Sequence, residues 1–170
     1  MPFVIPDGLA PEVYPLAWLV GRWRGTGEVA YPQIPRVSVV GEVEVDHDGG
    51  PYLTWRSTLR LADSEQTWGT ERGFWRVPPD RPEDLPEGRL PVELMVTDPA
   101  GYLTLYAGVV SGGRIDLASD LMARTADAAE VTAASRLLGL VDGELMWTWD
   151  IAAFGEPLQN YAAMRMERVG

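Results

Sequence analysis

Hydrophobic and polar residues alternate with a period of two along most of this chain, and that alternation predicts strands. In VSVVGEVEVD, Val37, Val39, Val43 and Val45 fall on one face while Ser38, Glu42, Glu44 and Asp46 fall mostly on the other, as a strand with one buried and one solvated side requires. In YLTWRSTLRL the same alternation sets Leu53, Trp55, Leu59 and Leu61 against Thr54, Arg56, Thr58 and Arg60. Asp48-Gly49-Gly50-Pro51 separates the two runs, and such turn chemistry favours a tight antiparallel hairpin over a helical crossover. Similar punctuation recurs at Pro99-Ala100-Gly101, Ser111-Gly112-Gly113 and Asp142-Gly143.

About ten strand-like runs lie between those turns, near 22–30, 36–47, 52–61, 67–77, 90–98, 102–110, 114–122, 129–140, 144–153 and 158–168. Only PEVYPLAWLV has a helical spacing, with Leu16 and Leu19 able to face a core. Successive hairpins with one helical turn at the entrance predict an all-β, ten-stranded antiparallel up-and-down barrel, because closure removes the two exposed edges of an open sheet. A two-sheet sandwich is the alternative. The segment from Val77 to Pro91 is too rich in Pro and charge for a strand and is expected to form one long surface loop.

At 170 residues the chain has the length of one domain, and 46% hydrophobic with 23% charged residues is globular usage. Residues 1–15 read as an N-terminal extension and 16–170 as the barrel domain. The net charge of −11 and a pI near 4.4 would repel nucleic acid and anionic membrane surfaces, so neither is expected as a partner. The N-terminal MPFVIPDGLAPEVYP has no basic region, no long apolar run and no small-residue cleavage pattern, and no segment approaches the length of a membrane span. We expect a cytoplasmic protein, monomer or homodimer. All fourteen positive residues are Arg.

Enzymatic chemistry is sparse. Cysteine is absent, which excludes disulfides, thiolate metal sites and cysteine nucleophiles. The single histidine, His47, stands at a strand end in VDHDGGP, where capping a turn is its expected role. Glu42, Glu44 and Asp46 read as a solvated face. GRWRGTG opens no strand-to-helix turn and lacks the Lys of a phosphate loop. Its glycines at alternate positions share a face of the first strand with Trp23, where the sheet must bend or a neighbour must come close, and Trp23 can plug the barrel floor against the Leu16–Leu19 turn. No catalytic residue and no metal site are assigned. What remains is aromatic, with seven Trp and six Tyr. These rings either fill the barrel or wall a cavity for one small apolar ligand.

The stretch LAWLVGRWRGTGEVAYPQIP, with Gly21, Trp23, Gly25 and Gly27 followed by Tyr31, Pro32, Ile34 and Pro35, resembles the opening of the nitrobindins, ten-stranded barrels akin in shape to fatty-acid-binding proteins and lipocalins. HDGGPYL from His47, TERGFWRV from Thr70, VELMVTDPAGYLTL from Val92 and FGEPLQ from Phe154 fit the same family in the same order. The resemblance runs from about residue 16 to the C-terminus. It implies ferric haem in the barrel, nitric oxide chemistry and isomerisation of peroxynitrite to nitrate, with a last-strand His on the iron.

Aligned on Pro157, Leu158 and Gln159, this chain places Tyr161 where that His stands. It places Trp68 and Gly69 where family members often carry a Met-His pair across the haem. Trp68, Gly69 and Tyr161 are therefore the pocket candidates, and no cofactor is expected unless Tyr161 ligates haem. Tyrosinate ligation needs a partner that lowers the phenol pKa, and Arg165, four residues on, is expected to share the strand phase of Tyr161. Three readings follow: a barrel without haem ligation that takes a small apolar molecule, a haem protein with Tyr161 as axial ligand, or a solidly packed barrel that acts through its surface.

Overall fold

The computed structural model describes residues 4–170. A 3-10 helix, Pro11–Leu19, precedes ten strands: β1 Gly21–Tyr31, β2 Ile34–Asp46, β3 Leu53–Leu61, β4 Thr67–Arg76, β5 Leu90–Asp98, β6 Tyr102–Ser111, β7 Arg114–Arg124, β8 Val131–Val141, β9 Glu144–Ala153 and β10 Gln159–Val169. Each strand pairs antiparallel with the next. β1 also pairs with β10, from Arg22↔Val169 to Val29↔Ala162, so the sheet closes into the up-and-down barrel and the sandwich alternative falls.

Closure depends on small residues in the first strand. A Cβ at Gly25 would overlap the carbonyl oxygen of Arg165, and one at Gly27 that of Ala163, so β10 can cross β1 closely only where side chains are missing. Trp23, on the same face, is almost fully buried and donates its indole N–H to the Leu19 carbonyl at 3.0 Å. The helix thereby stoppers one end of the barrel. Its own Val13, Leu16 and Leu19 are the side chains it buries.

Register divides the interior into two halves. At the helix end, Leu53 opposes Trp75 and Met166 opposes Leu145, and these join Trp23, Leu94, Ile115 and Leu138 in an apolar floor. The other end receives the short connections 32–33, 62–66, 99–101, 125–130 and 154–158 and forms the mouth. Outside, the Glu42–Asp46 face is solvated as expected, with Glu44 paired to Arg22 at 3.1 Å and Glu42 to Arg60 at 3.5 Å. His47 lies in the floor-side β2–β3 connection, where its Nδ1 accepts from the Gly49 N–H at 3.2 Å.

Two details depart from the sequence expectation. The long loop ends at Arg89, and Pro91 belongs to β5, opposite Val109. Only β6 flanks that stretch, and a missing N–H is tolerated on a strand with one neighbour. Two ladders are also cut short near the mouth. β4 and β5 pair only over Arg72–Arg76 and Glu93–Thr97, and β7 and β8 only over Arg114–Ala118 and Ser135–Gly139. β7 is therefore joined to β8 only at its floor half, whereas β5 meets β4 through its own mouth half and the mouth end of β4 runs past it.

Candidate functional site

Above the floor the barrel is open, with a cavity of about 500 Å³ that reaches the mouth. This is the size range of small-molecule sites. Trp68, Gly69 and Tyr161 all lie on its wall, so the three pocket candidates come together in space. Gly21, Trp23, Gly25 and Gly27 do not line it. They build the floor and the β1–β10 seam.

The inward aim of Trp68 and Tyr161 has a common cause. On β4 the inward phase is Gly69, Glu71, Gly73 and Trp75, and on β10 it is Ala162, Met164 and Met166, so strict alternation would turn both aromatic residues outward. Each strand carries a bulge at this point. Leu59 pairs with Gly69 while Arg60 pairs with Thr67, and Asn160 pairs with Asp150 while Ala162 pairs with Trp149. Trp68 and Tyr161 are the extra residues, and a bulge re-aims the residue it inserts. The Trp68 indole N–H donates to the Tyr161 hydroxyl at 2.7 Å. Trp149 packs edge-on against Tyr161 at 5.1 Å between ring centroids, and Tyr31 does so at 6.4 Å. Tyr31 is fixed in turn, its hydroxyl donating to the Ile151 carbonyl and accepting from the Ala153 N–H, both at 3.0 Å.

The bulge also corrects the expectation for Arg165. Beyond it the odd residues of β10 face outward, and Arg165 pairs on the surface with Glu144 at 2.5 Å. It is no partner for Tyr161. Burial pushes the Tyr161 phenol up, the Trp68 hydrogen bond works against that, and the Asp98 carboxylate adds to the rise. The hydroxyl is therefore held in its neutral form.

Between floor and cavity lies an ion pair. Arg136 donates from Nη1 to Glu71 Oε1 at 2.5 Å and from Nη2 to Oε2 at 2.7 Å, with side chains 2% and 9% exposed. Trp55 adds its indole N–H to Oε1 at 2.9 Å. The guanidinium stacks over Trp149 at 4.3 Å and Tyr106 at 4.9 Å. Burial alone would push the Glu71 carboxyl up, but Arg136 and the hydrogen bonds outweigh it and hold the group below the usual carboxylate range. The pair spans from β4 to β8, the two strands that border the β5–β6–β7 panel.

Neither charge was singled out from the sequence, although a signal was there. Glu71 shares the phase of Trp75, and Arg136 that of Ala134 and Leu138, so both charges sit on apolar faces where a solvated residue would not. Asp98, at the end of β5, also lies on the cavity wall. Among the described residues, no group of three or more His, Cys, Asp or Glu side chains is placed to hold a metal ion.

Comparison with known proteins agrees with this architecture. A family model described as "THAP4-like, heme-binding beta-barrel domain" matches residues 12–168. A protein of Beutenbergia cavernae named ferric nitrobindin-like protein is 45% identical, covering 99% of this chain and 100% of that protein. A protein of Leifsonia xyli subsp. xyli named peroxynitrite isomerase is 36% identical, covering 96% and 98%. The crystal structure of Rv2717c from M. tuberculosis matches with a TM-score of 0.81 at 30% identity, over 95% of this chain and 99% of that one. With the motifs, the ten-stranded closure and these matches in agreement, the chain belongs to the nitrobindins, the family of THAP4-like, heme-binding β-barrel domains.

Proposed function

We propose that this nitrobindin-family barrel holds a small apolar molecule in its mouth-side cavity and does not ligate ferric haem. The observation that carries the reading is the engaged hydroxyl of Tyr161. Ferric haem takes its protein ligand from an imidazole, a thiolate, a thioether or a tyrosinate. The single imidazole, His47, is at the opposite end of the molecule, and cysteine is absent. Met122 supplies a thioether on the wall, a ligand that elsewhere works opposite a His this cavity lacks. Tyr161 is oriented by the Trp68 indole, is pushed toward its neutral form by burial, and has lost the Arg partner that tyrosinate ligation would require. The residues present do not fit the haem that the family description names.

A largely apolar wall of aromatic rings with few polar groups suits an organic ligand instead. Titration with ferric haem, followed by absorption spectroscopy, tests the reading. The expected result is no saturable haem band for the wild type and a band after Tyr161→His, alone or with Trp68→Met/Gly69→His. A saturable tyrosinate-type spectrum in the wild type that disappears in Tyr161→Phe overturns it and restores nitrogen-oxide chemistry. Nile red, a neutral apolar dye, should bind the wild type saturably, and its failure to bind would favour a barrel acting through its surface.

A further inference from the structure

We propose that the cavity's ligand is an organic cation, an ammonium whose apolar body fills the barrel and whose charged head lies beside Asp98. This rests on the apolar-ligand reading above and names the ligand's class. The charged side chains on the cavity wall are Glu71, Arg136 and Asp98. Arg136 commits both terminal nitrogens to Glu71, and its remaining donor, Nε, is unpartnered but has essentially no surface that a cavity ligand could touch. The pair is thus internally neutralised, and its guanidinium is unavailable to a carboxylate head group.

Asp98 is left as the net charge of the wall. Its Oδ1 accepts from the Ala100 N–H at 2.8 Å and fixes the β5–β6 turn, yet among the described residues it joins no ion pair. Burial pushes its carboxyl up, and the negative charge of Glu71 acts in the same direction. The backbone N–H groups of the turn, led by Ala100, offset part of that rise, and no cation does.

Trp68, Tyr102, Phe154 and Tyr161 line the same mouth, and aromatic faces attract weakly hydrated cations such as substituted ammonium groups. The loops around the opening carry Asp63, Glu65, Asp127, Glu130 and Glu156, against a rim guanidinium, Arg124 at the end of β7, whose Nη1 donates to the Ala128 carbonyl at 2.9 Å. A net charge of −11 accounts for an acidic rim by itself. The specific element is Asp98 on an aromatic wall whose one guanidinium, Arg136, is already committed to Glu71. An anionic head, whether a fatty-acid carboxylate or a porphyrin propionate, would meet repulsion on entry and find no donor of opposite charge inside.

The test uses the full chain and three probes of matched tail: octyltrimethylammonium, octanol and octanoate. Binding is followed by tryptophan fluorescence and calorimetry at physiological ionic strength, where long-range attraction to the overall charge is screened. The expected order of affinity is ammonium, then octanol, then octanoate. Asp98→Asn keeps the Oδ1 acceptor of the turn and should fold. It should weaken the ammonium by about tenfold and leave octanol unchanged. Octanoate binding as tightly as the ammonium, or an equal loss for all three probes in Asp98→Asn, overturns the assignment. Octanol bound without preference for the cation removes the charge inference and leaves the apolar pocket standing, whereas no binding of any probe removes both.

Discussion

The two halves of this barrel use the same strands for opposite ends. Near the helix, inward residues are large and apolar, and Trp23, Leu53, Trp75, Leu94, Ile115 and Met166 leave no room for a ligand. Near the mouth, strands β3, β4, β8 and β10 place Leu59, Gly69, Ala134 and Tyr161 inward around open space. The Glu71–Arg136 pair sits where one regime passes into the other. Stability is thereby concentrated in one half, while the other is free to be shaped by its contents.

Trp23→Ala tests this division most severely. It removes the floor's stopper and its hydrogen bond to Leu19, and should cost about 3–5 kcal/mol by denaturant unfolding. Truncation of Trp68, whose indole borders open space, should cost much less; equal costs would mean the halves are not distinct. Arg136→Met comes next. It leaves Glu71 buried without its partner and should destabilise by about 3 kcal/mol or more, whereas Arg136→Met/Glu71→Leu should recover most of the loss, since an apolar pair of similar volume replaces a buried ion pair at little cost. No recovery in the double variant would assign the charges a role beyond mutual compensation.

The same pair sets an acid limit. Because the folded-state pKa of Glu71 is held below its ordinary value, its contribution is fully present above the ordinary carboxylate range and is lost as pH falls through the lowered value. Unfolding midpoints of the wild type should drop at low pH more steeply than those of the double variant. The smallest effect is Tyr161→Phe, which removes the Trp68–Tyr161 hydrogen bond for about 1 kcal/mol. It should leave Nile red binding in place, because the ring walls the cavity while the hydroxyl only orients Trp68. A loss of dye binding would make that hydroxyl part of the ligand contact.

The strands were legible because each carries one solvated and one buried face, which writes a period of two into the chain, and because Gly-rich hairpins mark where it resets. The seam was legible too, since Gly25 and Gly27 read as a close approach before any neighbour was known. The aim of Trp68 and Tyr161 was not, because a bulge breaks the very period from which orientation is read. The family resemblance placed Tyr161 at the cavity, but its phase came only with the register of β9 and β10, and with it went the expected role of Arg165. Glu71 and Arg136 were legible one at a time, as charges on apolar faces. That they meet across the barrel follows from closure, which no local pattern encodes.

The two interrupted ladders give the closed barrel something it should otherwise lack, a cooperative unit smaller than the whole. Along Trp68–Glu71 on β4 and Ser119–Arg124 on β7, backbone groups have a ladder partner on one side only. The mouth ends of β4 and β7 can therefore open at a fraction of the global unfolding free energy. In hydrogen exchange the amides of these two segments should belong to a faster class than those of β1, β2 and β10, and a molecule held between Trp68 on β4 and Met122 on β7 would slow that class selectively. The barrel's breathing would then report on what it holds.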